Sequence, residues 1–140
     1  MASVMQLDVL SPDAYVFQAD DVSYVEVQTT DGGIGILPHH ATMIAALDQA
    51  PLKYRDANGT AHYMSVDGGF LEVKNNKVTI LSVAAEKAEN IDVAKAQEAL
   101  DRAQAKIDNP EEGMDLPEVL KQLKSAQAKL KTVQLAGSKM

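Results

Sequence analysis

The 140-residue chain has no cysteine and no tryptophan. Lacking cysteine, it has no disulfides, no thiolate metal ligands and no cysteine nucleophile. Aromatic residues are only 4% of the chain, so any core has to be aliphatic. No run of about 18 apolar residues occurs, and no membrane span is expected. Met1 to Leu10 has no basic region followed by an apolar stretch, so no signal peptide is expected either. Bases are in deficit, 13 Lys and Arg against 20 Asp and Glu, for a net charge of −7. Nucleic acid and anionic lipid are polyanions, so no general electrostatic pull toward either and no nucleic-acid partner is expected, although a local basic face stays open. With no apolar span, no direct membrane insertion is expected.

What is present divides into two periods. Hydrophobic residues make up 46% and charged residues 24%, a globular composition. In residues 1–84 apolar positions alternate: Met5, Leu7 and Val9; Val25 and Val27; Leu52 and Tyr54; Leu71 and Val73; Val78 and Ile80. Period two marks strands buried on one face. Turn residues separate them at Ser11-Pro12-Asp13, Asp31-Gly32-Gly33, Asp56-Ala57-Asn58-Gly59, Asp67-Gly68-Gly69 and Asn75-Asn76. Short strands at this spacing predict an antiparallel sandwich or barrel. His40 to Leu47 is ambiguous, alanine-rich enough for a helical turn yet set between strand-like runs.

Residues 85–140 change to helical spacing. Val93, Ala96, Leu100, Ala103 and Ile107 form one narrow stripe, with Asn90 as the expected N-cap and Asp92 in the first turn. Asp108-Asn109-Pro110 ends that helix. A second helix opens on Asp115 and Glu118, the spacing of a capping box, with Pro117 in its first turn. Its apolar face is Leu116, Leu120, Leu123, Ala126, Leu130 and Val133, and Gly137 is a stop. The fold class is therefore an all-β N-terminal sandwich followed by an antiparallel α-helical hairpin, two small domains at 1–84 and 85–140. A seam half made of alanine buries little, so the hairpin should need the sandwich or a partner to hold it.

Charge is also uneven. Residues 1–84 carry ten acids and four bases, residues 85–140 ten acids and nine bases. After Glu118 the second helix has no acid but carries Lys121, Lys124, Lys129 and Lys131. That run reads as a solvated face or as a docking surface for an acidic protein segment.

Other constellations carry no catalytic or metal assignment. Gly32-Gly33-Ile34-Gly35 is not followed by Gly-Lys-Ser/Thr or a helix start, and reads as a hairpin turn rather than a phosphate loop. His39, His40 and His62 would have to converge to hold a metal, and neighbours on a strand point to opposite faces. Ser65, Asp67 and His62 have the residue types of a hydrolase triad without a nucleophile elbow. Paired acids at Asp20-Asp21 and Glu111-Glu112 read as loop charge.

Several stretches resemble one family. Gly35-Ile36-Leu37-Pro38-His39-His40, Gly69-Phe70-Leu71-Glu72-Val73, Val78-Thr79-Ile80-Leu81 and Ile91-Asp92-Val93-Ala94-Lys95-Ala96 resemble, in order, segments of bacterial F-type ATP synthase epsilon subunits. Leu7 to Pro12 resembles their opening strand. The resemblance implies a non-catalytic rotor subunit, peripheral on the cytoplasmic face of the bacterial membrane. Its implied partners are the gamma subunit, the polar loops of the c-ring and the catalytic alpha and beta subunits. It implies interface roles for Asp31, Gly32, Gly33, Pro38 and His40, and a hairpin that either folds down or extends to block ATP hydrolysis. Lys121, Lys124, Lys129 and Lys131 would then dock the extended helix. Two departures stand out. Ala41 replaces the family's usual proline. Lys95 replaces the arginine of nucleotide-binding members, and Arg55 and Arg102 are the only arginines. Lysine lacks the bidentate fork of arginine, so Ile91, Asp92 and Lys95 are expected to give weak ATP binding or none, with no other cofactor. A different class, a free-standing module whose hairpin clamps a ligand, stays open. Such a module would lose binding with the hairpin, whereas a rotor subunit would still bind gamma through its sandwich.

Overall fold

A computed structural model describes residues 3–12 and 14–137, with residues 14 and 15 described by their backbone alone. Asp13, one residue of the first expected turn, lies outside the described residues. The strands are β1 (Met5–Ser11), β2 (Ala14–Thr29), β3 (Gly32–Ile36), β4 (Met43–Asp56), β5 (Ala61–Lys74), β6 (Lys77–Leu81) and β7 (Ala85–Lys87). The helices are α1 (Val93–Asp108) and α2 (Leu116–Gly137).

β1 pairs antiparallel with β2 on one edge and parallel with β6 on the other. β6, β5, β4 and β2 follow one another by antiparallel pairing, so the ring of strands closes. β3 extends β2, and β7 adds to β5. The alternating residues read from the sequence all face the interior. Leu7, Val9, Val25, Leu71, Val73, Val78 and Ile80 are at or below 1% exposure. The ambiguous His40 to Leu47 segment is not helical. From Met43 it is strand, with Met43 and Ala45 packed against the core. Long-range ladder pairing to β5 overrides its alanine content.

Asp8 breaks the pattern. It is 2% exposed, on the strand face opposite Leu7 and Val9. Its carboxylate accepts from Gln6 Nε2 at 3.0 Å and meets Lys77 Nζ at 3.3 Å. A buried carboxylate is tolerated when it is paired and hydrogen-bonded.

The sheet continues to Lys87, whose ammonium lies 4.8 Å from the Phe17 ring centroid. Phe17 packs on Tyr54, and Tyr54 stacks on His62. Burial, then Asp21, Asp56 and Glu89, push the Tyr54 phenol up to about 12. Tyr54 therefore stays neutral and serves as packing for the strand that leads to the hairpin.

β5 changes neighbours midway. Met64–Val66 pairs with β7, and Phe70–Lys74 pairs with β6. Gly68 and Gly69 sit between, at φ 74° and 109°. A Cβ on Gly69 would lie 1.9 Å from the Leu81 carbonyl oxygen. Only glycine lets the two backbones approach there. Gly69→Ala is therefore expected to lower unfolding free energy by about 3 kcal/mol or more in urea titration. Gly59→Ala is the control: φ is 81° but the space is open, and the expected loss is about 1 kcal/mol.

Candidate functional site

The hairpin lies folded against the sandwich. α1 packs on α2, and α2 packs on β4 and β5. Asp92, not Asn90, caps α1: its Oδ1 accepts from the Lys95 N–H at 3.1 Å. Asn90 instead ends a short 3-10 turn, Ala88–Asn90, which shifts the helix start two residues along the chain. Asp115 caps α2 by accepting from the Glu118 N–H at 3.2 Å. α1 buries only Ala96 and Ala103, the alanines of its expected stripe, while Val93 stays 47% exposed.

α2 has two neighbours to satisfy, so it buries positions off its expected stripe. Its fully buried positions are Val119, Ala126, Ala128 and Thr132. Leu116 and Leu120, expected on the apolar face, are 46% and 43% exposed. Small residues at the seat let the helix approach closely but remove little apolar surface from water. The Thr132 hydroxyl donates to the Ala128 carbonyl at 2.7 Å, within its own helix.

Polar contacts supplement this thin seat. Lys124 Nζ meets Asp48 Oδ1 at 2.6 Å. Lys129 Nζ lies 3.9 Å from Glu86 Oε1. Gln49 Nε2 donates to the Lys121 carbonyl at 2.9 Å and also to Asp67. Two of the four lysines expected to dock on another subunit are thus paired with this chain's own sandwich. Asp48, Gln49 and Glu86 gave no signal in the sequence, because which strand residues face a helix depends on the tertiary fold.

Between hairpin and sandwich lies a cleft of about 700 Å3. Lys95, Lys121 and Lys129 line it together with Asp67, Glu86, Asp92 and Glu118. The candidate nucleotide residues are thus near one another, but the lining carries four carboxylates against three ammonium groups. Ile91 is 8% exposed and packs inward, and the Asp92 carboxylate is engaged by its own helix. Lys131 sits elsewhere, beside Glu26, Lys53 and Tyr63.

The expected interface residues fall into two groups. Asp31 lies in the β2–β3 turn and Gly32 and Gly33 open β3; Thr29 Oγ1 donates to the Gly32 carbonyl at 2.7 Å and accepts from the Asp31 N–H. Pro38 and His40 follow the other end of β3, about 13 Å along the strand from Gly32 by standard rise. His40 is exposed and Pro38 partly buried. The Gly32–Gly35 run, expected as the hairpin turn itself, lies wholly in β3 just after the turn at Thr30 and Asp31, because it ladders with β2, and no helix follows it. His62 Nε2 pairs with Asp56 at 2.9 Å, while Asp67 engages Gln49, so Ser65, Asp67 and His62 form no triad. Among the described residues no group of three His, Cys, Asp or Glu is placed to hold a metal. No helix among them is long and apolar enough to cross a membrane.

An apolar patch was missed. Ile44, Phe70 and Leu81 share the outer face of β4, β5 and β6, at 71%, 58% and 51% exposure. Phe70 and Leu81 fall out of phase with buried Leu71 and Ile80, which is a signal the alternation itself contains. Contiguous exposed apolar side chains mark interaction surfaces.

The Lys124 hydrogen bond holds the Asp48 carboxyl below its usual range, with the Gln49 N–H assisting against partial desolvation. Its docking contribution is therefore complete above the ordinary value of 3.8 and is lost as pH falls through the depressed value. The pair is exposed, so salt also weakens it. The cysteine-free chain accepts clean label sites at exposed Ala57 and Gln127. Energy transfer between the two dyes should report hairpin release on acidification and at high salt. In Asp48→Asn much of that acid and salt response should be gone, with release already raised at neutral pH.

The family model for the ATP synthase delta/epsilon chain, beta-sandwich domain, matches residues 4–88. The model for that chain's long alpha-helix domain matches residues 89–134. The ATP synthase epsilon chain of Lawsonia intracellularis is 44% identical over 107 residues, 76% of this chain and 79% of that one. The ATP synthase epsilon chain of Carboxydothermus hydrogenoformans is 43% identical over 107 residues, 76% and 78% of the two chains. A chain in the cryo-EM structure of Euglena gracilis mitochondrial ATP synthase (OSCP/F1/c-ring) superposes with a TM-score of 0.79 at 25% identity, over 96% of this chain and 82% of that one. With both family models matched in sequence order over a closed sandwich and a two-helix hairpin, the chain belongs to the ATP synthase delta/epsilon chain family.

Proposed function

We propose that the chain serves as the epsilon subunit in the central stalk of a bacterial F-type, proton-translocating ATP synthase, with the sandwich as anchor and the hairpin as a releasable brake on ATP hydrolysis. It is a non-catalytic subunit of that complex. One observation carries the brake reading. The hairpin is seated through small side chains and exposed ion pairs, contacts that another protein surface can replace at little cost. Released from Asp48 and Glu86, Lys124 and Lys129 join Lys121 and Lys131 as an acid-free basic face for the alpha and beta subunits. The apolar patch at Ile44, Phe70 and Leu81 suits the gamma subunit. The turn at Asp31, Gly32 and Gly33 and the segment carrying Pro38 and His40 suit the polar loops of the c-ring. The subunit then sits peripherally on the cytoplasmic face of the membrane.

A nucleotide role for Ile91, Asp92 and Lys95 is weak or absent in this reading. A triphosphate entering the cleft would meet four carboxylates, and the three lysines there supply no bidentate fork.

Add-back to a catalytic complex lacking this subunit tests the proposal. The full chain should bind and suppress ATP hydrolysis, and residues 1–91 should bind without suppressing it. Equal suppression by both would place the brake in the sandwich and overturn the assignment. Titration calorimetry with ATP should show no binding tighter than about 1 mM, a free energy near −4 kcal/mol. Micromolar affinity would make the cleft a nucleotide sensor.

A further inference from the structure

Residues 37–42 join β3 to β4 outside any ladder. They nonetheless hold Leu37 at 62% exposure and His40 in the open. A backbone without ladder partners takes its shape from side-chain anchors. Among the described residues, one hydrogen bond ties this segment to another element. The His39 N–H donates to Asn76 Oδ1 at 2.8 Å. The contact of His40 Nδ1 with the Ala41 carbonyl, 2.7 Å, is internal to the segment.

Asn76 belongs to the turn between β5 and β6, where Asn75 and Asn76 have φ of 53° and 61°. A two-residue turn with both residues left-handed is satisfied equally by glycine, so the turn alone does not require a carboxamide at 76. The surroundings use both halves of that carboxamide. Oδ1 accepts from His39, and Nδ2 donates to the Val4 carbonyl at 2.9 Å. The Asn76 carbonyl also accepts from the Gln6 N–H at 3.2 Å. One side chain therefore joins the entry to β1, the β5–β6 turn and the 37–42 segment. Its partner His39 is itself left-handed, at φ 64°. A residue bearing a Cβ rarely holds that conformation without such an anchor.

We infer that Asn76 is a positioning residue: it fixes His39 in the left-handed conformation and thereby sets the direction in which Leu37, Pro38 and His40 face a partner. The inference rests on the reading that this segment meets the c-ring. Asn76 touches no partner in it and acts only through His39.

Two variants separate the carboxamide from the backbone. Asn76→Gly keeps the left-handed turn and deletes both side-chain bonds. Asn76→Asp keeps the acceptor for His39 and deletes the donor to Val4. Solvent exchange of the His39 amide, measured by NMR on the full chain, should accelerate about tenfold in Asn76→Gly and stay near wild type in Asn76→Asp. The thermal midpoint should fall little in Asn76→Gly and further in Asn76→Asp, whose second carboxylate oxygen faces the Val4 carbonyl. In the reconstituted complex, protons pumped per ATP hydrolysed should drop in Asn76→Gly and be restored in Asn76→Asp. Unchanged His39 exchange in Asn76→Gly overturns the inference. So does unchanged coupling in that variant when the double variant Leu37→Ala/His40→Ala, which leaves Asn76 intact, uncouples. If the double variant itself pumps normally, the c-ring reading fails and the inference falls with it.

Discussion

β1 is hydrogen-bonded on both edges, and the other strands depend on that double pairing. Its parallel bond to β6 and antiparallel bond to β2 close the ring β1–β6–β5–β4–β2, with β3 added on β2 and β7 on β5. The long strand β2 carries register shifts in its pairing with both β1 and β4. β5 hands over from β7 to β6 within a few residues, which is where Gly68 and Gly69 are required. An aliphatic interior with few rings suffices because the closed sheet covers it from all sides. Asp8 is held within the same closure, paired to Lys77 on the strand parallel to its own.

Against that rigid body the hairpin is held by a different kind of force. The sandwich interior is apolar and interlocked. The hairpin seat is small-residue and charge-assisted, and its ion pairs lie where salt and acid reach them. A low-energy seat on a stable platform is a physical basis for a part that moves while its anchor does not. Lys124 and Lys129 hold the seat through exposed charges, so an acidic surface that competed for them would act on the seat directly.

The strands were legible because closure buries one face of each, and burial on one face writes period two into the chain. Leu7, Val9, Leu71 and Ile80 all follow it. The helices were legible from their breakers, Pro110 and Asp115. The cap of α1 was misplaced because Asn90 and Asp92 are both good capping residues, and the 3-10 turn that decides between them leaves no period of its own. The α2 seat was half read. The stripe facing α1 repeats along the sequence, but the face meeting β4 and β5 is defined by Asp48, Gln49 and Glu86, far apart in the chain. Segment 37–42 was legible in composition and silent in geometry, since its anchor, Asn76, lies in a turn far along the chain.

Thr132 shows what leaving the seat involves. Its hydroxyl is completely buried, yet its hydrogen bond runs to Ala128 one turn back along α2. The bond travels with the helix. Lifting α2 therefore strips no polar atom of Thr132 of a partner and leaves none waiting on the sandwich. Departure and return at this position would be symmetrical, with no desolvated donor acting as a ratchet.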